Sequence, residues 1–167
     1  GDLPLAESAP LQPTSAYGAD KVGCELHARV ADLTHGVPAI GLRLFNVYGP
    51  RQEPSSPYAG VIAAFAGRIR RGDPVILYGD GEQVRDFVPV EDVARDLFRC
   101  CLAPGVAPGR PFTVHLASGQ PVRLRDFALR CWGEWGAKGR VHFGSCAYRP
   151  NEIMRYATRP PDFTAVS

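Results

Sequence analysis

The sequence predicts one α/β domain, and three observations lead to this prediction. Its 167 residues are enough for a single substantial core. Segments with the apolar spacing of helices alternate with short apolar runs typical of strands, which is the order found in α/β chains. The 18 glycines and 16 prolines fall mostly between these segments, so we interpret them as loop residues.

The N-terminal part predicts an extended segment, a long helix and a strand. Residues 1–14 contain three prolines and predict an extended surface segment. Thr14 or Ser15 can then cap a helix of about 20 residues. That helix ends at Gly36, a residue suited to a helix C-terminus. The apolar run 39–45 that follows predicts a buried strand.

The middle of the chain predicts a loop, a second helix and two extended pieces. The polar residues 46–57 after the first strand predict a loop, which is where α/β proteins commonly place ligand contacts. Residues 58–71 share an apolar face and predict a helix. Residues 75–78 predict a strand, the sequence GDG at 79–81 predicts a tight turn, and residues 85–90 predict a second extended piece.

The remaining elements continue the alternation. Residues 91–102 predict a helix with two acidic residues in its first turn. Strands are predicted at 112–117 and 140–143, with a helix at 124–135 between them. We predict no regular structure for residues 146–167, where three prolines occur.

Charge and residue usage argue against several classes of partner. The net charge of +2 is small and evenly spread, so no nucleic-acid partner is predicted. The five cysteines lack a C-x-x-C spacing and the four histidines lack a metal-ligand spacing, so we predict neither disulfides nor a metal site. No apolar run approaches the ~20 residues of a membrane span. With no targeting segment recognisable either, we expect a cytoplasmic protein without a membrane partner.

Tyr17 and Lys21 are the first candidates for chemistry. Four residues apart on the predicted helix, they share one face about a turn apart. A fixed positive charge nearby favours the phenolate form of a tyrosine, which can act as a base. By themselves the two residues also fit a simpler alternative, an aromatic ring and a charge on a half-buried helix.

Four stretches in this order carry a family resemblance: SAYGADK at 15–21, GLRLFNVYGPRQEPSSPYAGVI at 41–62, VILYGDGEQVRDFVPVEDVARDL at 75–97 and YRPNE at 148–152. The chain resembles the extended short-chain dehydrogenase/reductase family, and within it the NAD-dependent nucleotide-sugar epimerases and dehydratases, especially the UDP-glucose 4-epimerase group. The resemblance implies an incomplete Rossmann-like fold, made of its later strands and helices, plus a small α/β substrate-binding domain. Residues 1–50 would be the remnant of the cofactor domain. Residues 51–167 would mainly bind the nucleotide sugar, interleaved with late Rossmann elements.

The resemblance also implies roles at the catalytic end of the site. Tyr17 would remove a proton from a sugar hydroxyl while hydride passes to NAD, and Lys21 would support the phenolate and hold the nicotinamide ribose. Phe45 matches the position where the family's loop approaches the nicotinamide. A buried aromatic residue at a strand end also needs no ligand to explain it.

For the substrate, the resemblance implies contacts with a UDP-hexose. Diphosphate contacts would come from Asn46, Arg85 and Arg149, since arginine suits that charge; a salt bridge from Arg85 to Asp86 or Glu82 is the simpler alternative. Base contacts would come from Ile76 and Tyr78, which could equally pack in a core strand. Tyr156 would lie beside the sugar, and its bulk favours an unacetylated hexose.

Parts of the family pattern are missing. We find no strand, G-x-x-G-x-x-G turn and helix in succession, since the glycine clusters at 79–82 and 105–109 have the wrong spacing and context. A catalytic serine or threonine upstream of Tyr17 is missing as well. Three explanations stay open: a piece of a longer polypeptide, which we favour, a partner of a separate N-terminal half, or a degenerate product without catalysis.

Two functions follow. The first is an NAD-dependent epimerase or dehydratase that works through a 4-keto intermediate and is inactive as this chain alone. The alternative is a non-catalytic module that binds a nucleotide sugar or dimerises. In the resembling family the helix that contains Tyr17 commonly packs against its equivalent, so a homodimer through this helix is expected.

Overall fold

A computed structural model describes residues 4–53, 61–103, 105–109, 112–138, 140–150 and 152–163. Its helices are α1 (Ala16–His35), α2 (Val61–Arg71), α3 (Val90–Cys101) and α4 (Leu124–Glu134). Its strands are β1 (Ile40–Leu44), β2 (Asn46–Tyr48), β3 (Val75–Tyr78), β4 (Val84–Arg85), β5 (Phe87–Pro89), β6 (Phe112–Leu116), β7 (Val122–Arg123) and β8 (Val141–Cys146). The predicted α/β class is confirmed, and residues 54–60 of the predicted loop and second helix lie outside the described residues.

The two ends of α1 follow from local sequence. The Ser15 hydroxyl accepts a hydrogen bond from the Gly18 amide at 3.1 Å, which satisfies an amide that has no partner within the helix. At the other end, Gly36 adopts a left-handed conformation with φ of 62°, and its amide bonds the Asp32 carbonyl. The predicted start and end of this helix are confirmed.

The strands pair with segments distant in the sequence. Three pairs are parallel, β1 with β6, β2 with β5 and β3 with β8, while β4 and β7 are antiparallel. Strand β2 corrects the prediction of a loop from residue 46. The Asn46 amide donates to the Asp86 carbonyl at 3.1 Å, and the pairing with β5 then continues to Tyr48. Local composition gives no sign of a partner strand so far along the chain.

Two apolar cores lie on either side of β5. The first is formed by β1, β6 and α3 and contains Val88. The second is formed by α2, β3 and α4 and contains Phe87. Neighbouring side chains of a strand point to opposite faces, so this short strand contributes one residue to each core.

The C-terminal residues pack against the body of the protein. Arg155 forms an isolated parallel β-bridge with Val84, and Thr158 forms another with Leu5. Farther on, the Phe163 side chain is buried in the first core, with the Arg99 guanidinium carbon 4.6 Å from its ring centroid. Cys146, the first residue of the tail for which no regular structure was predicted, is instead the last residue of β8. Apart from the isolated bridges, the described residues 147–150 and 152–163 contain no helix or strand, as predicted.

Candidate functional site

Helix α1 presents Tyr17 and Lys21 on its first turns. The Lys21 Nζ atom lies 5.3 Å from the centroid of the Tyr17 ring. This distance is within the range of a cation–π contact, so the structure brings the two side chains together as their spacing predicts. The Tyr17 side chain is 53% exposed and therefore accessible to a ligand.

An ion pair connects this face of α1 to β1. Glu25, one turn beyond Lys21, accepts two hydrogen bonds from the Arg43 guanidinium, each 2.8 Å long. These bonds lower the pKa of Glu25 and raise the pKa of Arg43. The ion pair therefore ties α1 to β1 at Arg43, two residues before Phe45 in the chain.

Phe45 and Tyr156 form the centre of a second group. The Phe45 side chain is buried, and the Tyr156 ring stacks on it with centroids 4.8 Å apart and planes inclined by 24°. Tyr156 remains 38% exposed. Its amide donates to the Val84 carbonyl at 3.1 Å, so backbone and ring are both held. The Tyr156 phenol can therefore border a ligand, while the buried Phe45 ring beneath it keeps it in a fixed position.

Arg85 lies next to this group, and its carboxylate partner is Glu152, not Asp86 or Glu82. Its Nη2 donates to Glu152 Oε1 at 2.5 Å, and its Nη1 donates to the Val84 carbonyl at 2.8 Å. Burial lowers the pKa of Arg85, while the charge of Glu152 opposes that effect. The Tyr156 phenol also interacts electrostatically with this guanidinium.

The alternative salt bridge of Arg85 with Asp86 or Glu82 is wrong. Asp86 is fully buried and accepts hydrogen bonds from the amides of Ser118 and Gly119, at 2.7 and 2.8 Å. The Glu82 carboxylate instead pairs with Arg125 at 3.0 Å. Arg85 therefore keeps its guanidinium on the Glu152 side, close to Tyr156.

A third group is formed by Ile76, Tyr78 and Arg149. Along β3, Val75 and Leu77 are buried, whereas Ile76 and Tyr78 are 42% and 48% exposed. The alternative of core packing therefore applies to the other face of β3. The Arg149 guanidinium carbon lies 5.1 Å from the Tyr78 ring centroid. An exposed ring with a cation near its face is thus present on the strand for which the family resemblance implies nucleobase contacts.

Asn46 is positioned by backbone pairing. It lies opposite Phe87 in the β2–β5 register, and its amide bonds the Asp86 carbonyl. The residue is half-buried and adjacent to the segment that contains Arg85. Of the three predicted diphosphate contacts, Asn46 therefore lies on β2, which pairs with β5, and Arg85 lies on β4, two residues before β5 begins.

Sequence reasoning missed several residues of this region. Glu152 belongs to the YRPNE motif, but its partner Arg85 lies 67 positions away. From the same motif, the Tyr148 hydroxyl donates to the Asp80 carboxylate, which raises the pKa of Tyr148 and lowers that of Asp80. His115, which carried no predicted role, is buried next to Phe45. No local pattern links such residues, since their partners come from distant segments.

The sequence contains one G-x-x-G-x-x-G pattern besides the two glycine clusters considered above. Gly133, Gly136 and Gly139 do have the spacing G-x-x-G-x-x-G, which the two clusters considered above lack. The helix α4 ends at Glu134 and β8 follows, so this triplet leads from a helix to a strand. A phosphate-binding turn requires the opposite order, from a strand into a helix N-terminus.

Metal ions and membranes are not indicated by the described residues. Within them no three His, Cys, Asp or Glu side chains are grouped so as to hold a metal ion. None of the helices in the same part of the chain is long and apolar enough to cross a membrane.

Comparison with known proteins gives consistent matches. The sequence profile of the NAD dependent epimerase/dehydratase family matches residues 2–111. The UDP-glucose 4-epimerase of Mycolicibacterium smegmatis is 38% identical over 146 residues, which make up 84% of this chain and 43% of that protein.

Solved structures agree with this match. The UDP-N-acetylglucosamine 4-epimerase of Methanobrevibacter ruminantium, in complex with UDP-N-acetylmuramic acid, has a TM-score of 0.82 at 29% identity and covers 95% of this chain and 49% of its own. For the UDP-glucose 4-epimerase of Thermus thermophilus in complex with NAD, the TM-score is 0.79 at 30% identity, with coverages of 93% and 49%. The chain spans less than half the length of these proteins, and its α/β fold is Rossmann-like over that part.

Proposed function

Because the chain belongs to the NAD dependent epimerase/dehydratase family, we propose that it carries the catalytic helix and most of the substrate site of a nucleotide-sugar epimerase or dehydratase. The observation that carries this proposal is the position of Arg149 over the exposed ring of Tyr78, at 5.1 Å. An exposed ring offers a nucleobase a flat apolar surface, and a guanidinium beside it can bind phosphate. A nucleoside diphosphate matches both features.

The catalytic step is assigned to α1. Tyr17 removes the proton of the sugar 4-hydroxyl, so that a 4-keto sugar forms, and later returns a proton to the same oxygen. The Lys21 ammonium lies 5.3 Å from the centroid of the Tyr17 ring, one turn further along the same face of α1. Bound NAD would accept the hydride from the sugar and give it back.

The residues present fit one end of NAD. Tyr17 and Lys21 lie on an accessible face, where the ammonium can donate to the hydroxyls of the nicotinamide ribose, and Phe45 lies at the end of the strand that Arg43 ties to this helix. For the pyrophosphate end, the sequence contains no glycine-rich turn between a strand and a helix. We therefore expect no turnover from the 167-residue chain by itself.

The substrate is proposed to run from Tyr78 towards Tyr156. Ile76 and Tyr78 contact the base, and Arg149, Arg85 and Asn46 contact the diphosphate. Two nitrogens of Arg85 donate hydrogen bonds, one to Glu152 and one to the Val84 carbonyl. The guanidinium has five N–H groups, so others are left for phosphate oxygens. Tyr156 borders the hexose, and its bulk favours an unacetylated sugar. On this assignment residues 1–50 serve the cofactor and residues 51–167 mainly serve the substrate.

Calorimetric titration with UDP tests this proposal. We expect the wild-type chain to bind UDP, and the change Arg149→Ala to weaken binding about 10-fold or more, the effect of losing a charged hydrogen bond. Tyr78→Ala should weaken it as well, because the base loses its apolar surface. Arg71→Ala is the matched control, since this exposed arginine pairs with Asp73 away from the site. Absence of UDP binding, or equal binding by all four proteins, would contradict the proposal.

A second candidate function is a dimerisation module, alone or in addition to binding. One observation favours it: Leu26, Val30 and Leu33, at helical spacing on α1, are each more than half exposed. A second copy of the helix could cover this stripe. Sedimentation velocity of the variant Leu26→Ser/Leu33→Ser tests it, because a dimer held by α1 should dissociate while a monomer would sediment unchanged.

A further inference from the structure

The segment 152–158, here called the C-terminal strap, holds Tyr156 between two anchors. At the first anchor Glu152 pairs with Arg85 at 2.5 Å. Next to it, Val84 donates its amide to the Met154 carbonyl at 2.7 Å and accepts from the Tyr156 amide at 3.1 Å. The strap therefore follows β4 from Glu152 to Tyr156.

The second anchor is a buried chain of hydrogen bonds at Thr158. Its hydroxyl donates to the Leu5 carbonyl at 2.5 Å and lies 3.0 Å from His115 Nδ1. A hydroxyl has one proton, and here that proton is used on Leu5. The oxygen must then accept from His115, so Nδ1 carries a hydrogen.

The remaining nitrogen of His115 agrees with this assignment. Nε2 lies 3.5 Å from Nη1 of Arg43, which can only donate. A neutral imidazole with its hydrogen on Nδ1 and a lone pair on Nε2 satisfies both neighbours. The His115 amide donates to Glu7 Oε1 at 3.1 Å, which ties the N-terminal segment to the same residue.

His115 also shares an aromatic partner with the strap. Its ring centroid lies 5.5 Å from that of Phe45, the ring on which Tyr156 stacks. Tyr156 is thus held by Phe45 beneath it, by Val84 on its backbone and by Thr158 two residues further on. These contacts fix the backbone on both sides of Tyr156, which sets where its ring starts from and keeps it within stacking distance of Phe45.

We propose that His115 and Thr158 are positioning residues that hold the Tyr156 ring in place, and so set the room left for the substituent at carbon 2 of a bound hexose. The part that concerns the sugar rests on the function proposed above. The part that concerns the strap rests on the contacts alone, and the two can fail separately.

Amide hydrogen exchange of the 167-residue chain tests the strap. Thr158→Val removes the hydroxyl and keeps the shape, so exchange at the Tyr156 and Leu5 amides should rise about fivefold or more, while β3 and β8 stay unchanged. Thr158→Ser should restore protection. Thr34→Val is the control, since this exposed hydroxyl donates to the Val30 carbonyl of its own helix, away from the strap. Unchanged exchange at Tyr156, or an equal rise in every strand, would overturn the positioning role.

The imidazole itself provides a second test that mere packing would not affect. Nitrogen-15 chemical shifts should show the hydrogen of His115 on Nδ1 in the wild type, and a change of tautomer or a mixture in Thr158→Val. A wild-type imidazole with its hydrogen on Nε2 would overturn the assignment, even if the variant does not fold.

Titration with UDP, UDP-glucose and UDP-N-acetylglucosamine tests the consequence for the sugar. In Thr158→Val the affinity for UDP should stay within twofold of wild type, while the preference for the unacetylated sugar should fall. An unchanged preference in a protein with a loosened strap would overturn the specificity role. If the wild type binds no UDP, the proposed function and the specificity role both fail, and hydrogen exchange still decides the positioning role.

Discussion

The ring of Tyr156 lies on the ring of Phe45, with centroids 4.8 Å apart and planes inclined by 24°. One ring directly follows β1 and the other belongs to the C-terminal strap, so the contact joins segments that are distant in the sequence. Such stacked pairs contribute about 0.5–1.5 kcal/mol beyond the area that they bury.

A double-mutant cycle should detect this coupling. We expect Phe45→Leu and Tyr156→Leu together to cost about 0.5–1.5 kcal/mol less than the sum of the two single changes. Urea unfolding of the four proteins measures the free energies. The control cycle pairs Tyr156→Leu with Phe143→Leu, a ring packed against the second core, and should be additive. An additive result for Phe45 and Tyr156 would contradict the stacking.

Gly79 should tolerate no side chain. Its φ of 65° disfavours other residues, and an added Cβ would clash with the Tyr148 ring. Gly79→Ala should therefore destabilise the fold more than Gly72→Ala, where φ is 74° but nothing lies within 4 Å of an added Cβ. The control should cost about 1–2 kcal/mol for its backbone alone. Equal losses in chemical denaturation would show that Tyr148 does not constrain the turn.

Asp86 should be sensitive to loss of its charge. Its carboxylate is fully buried and accepts from the Ser118 and Gly119 amides. In Asp86→Asn the NH2 group faces one of these donors, so we expect a loss of about 1–3 kcal/mol, the cost of an unsatisfied buried group. The exposed Asp73→Asn serves as control. Thermal unfolding measures the effect, and equal melting temperatures for the two variants would refute the prediction.

His115 should make stability fall in mild acid. Burial lowers the pKa of His115 below its ordinary 6.5, with Arg43 acting in the same direction and Glu7 opposing. In the unfolded chain the imidazole gains a proton near pH ~6.5, while in the folded chain it does not. Stability is therefore lost as pH falls below that value, by at most ~1.4 kcal/mol per pH unit for this one group.

Denaturation at about pH 7.5, 6.5 and 5.5 measures that slope, because these values span the ordinary imidazole pKa of about 6.5. His115→Gln should reduce it, and the exposed His142→Gln should not. Glu7 and the Glu25–Arg43 pair also face His115, so Glu7→Gln is included to separate their contribution. An unchanged slope in His115→Gln would assign the pH dependence to other groups.

Tyr17 should be essential for epimerisation wherever the cofactor site is complete. A chimera that joins the N-terminal half of the Thermus thermophilus enzyme to this chain provides such a site. We expect it to interconvert UDP-glucose and its 4-epimer, and Tyr17→Phe to lower kcat by about 100-fold or more, the usual contribution of a general base. Tyr48→Phe, a phenol packed against the second core, is the control. Full activity in Tyr17→Phe would remove Tyr17 from the mechanism.

Local signals explain which parts of the fold the sequence predicts well. Ser15 and Gly36 mark the ends of α1 through their own side chain and backbone, so both were predictable. Strands β1, β3 and β6 follow from apolar runs. Strands β2 and β7 are short and depend on partners far along the chain, and neither was predicted.

The same distinction applies to the site. Tyr17 with Lys21 is a contact between neighbours on one helix, which spacing alone predicts. Arg85 with Glu152 and His115 with Thr158 join residues 67 and 43 positions apart. Residue types give no indication of such partners, because any of several acidic or hydroxyl groups could fill the role. The simpler alternative for Arg85, a salt bridge with Asp86 or Glu82, accordingly named the wrong carboxylates.

Strand β5 has a consequence for how the protein unfolds. Phe87 and Val88 are neighbours on one three-residue strand, yet each belongs to a different core. Losing this strand would open both cores to water at once, so neither can melt while the other keeps its full set of contacts. We therefore expect one cooperative transition, in which fluorescence from Trp132, beside the second core, coincides with the loss of helix signal from α3.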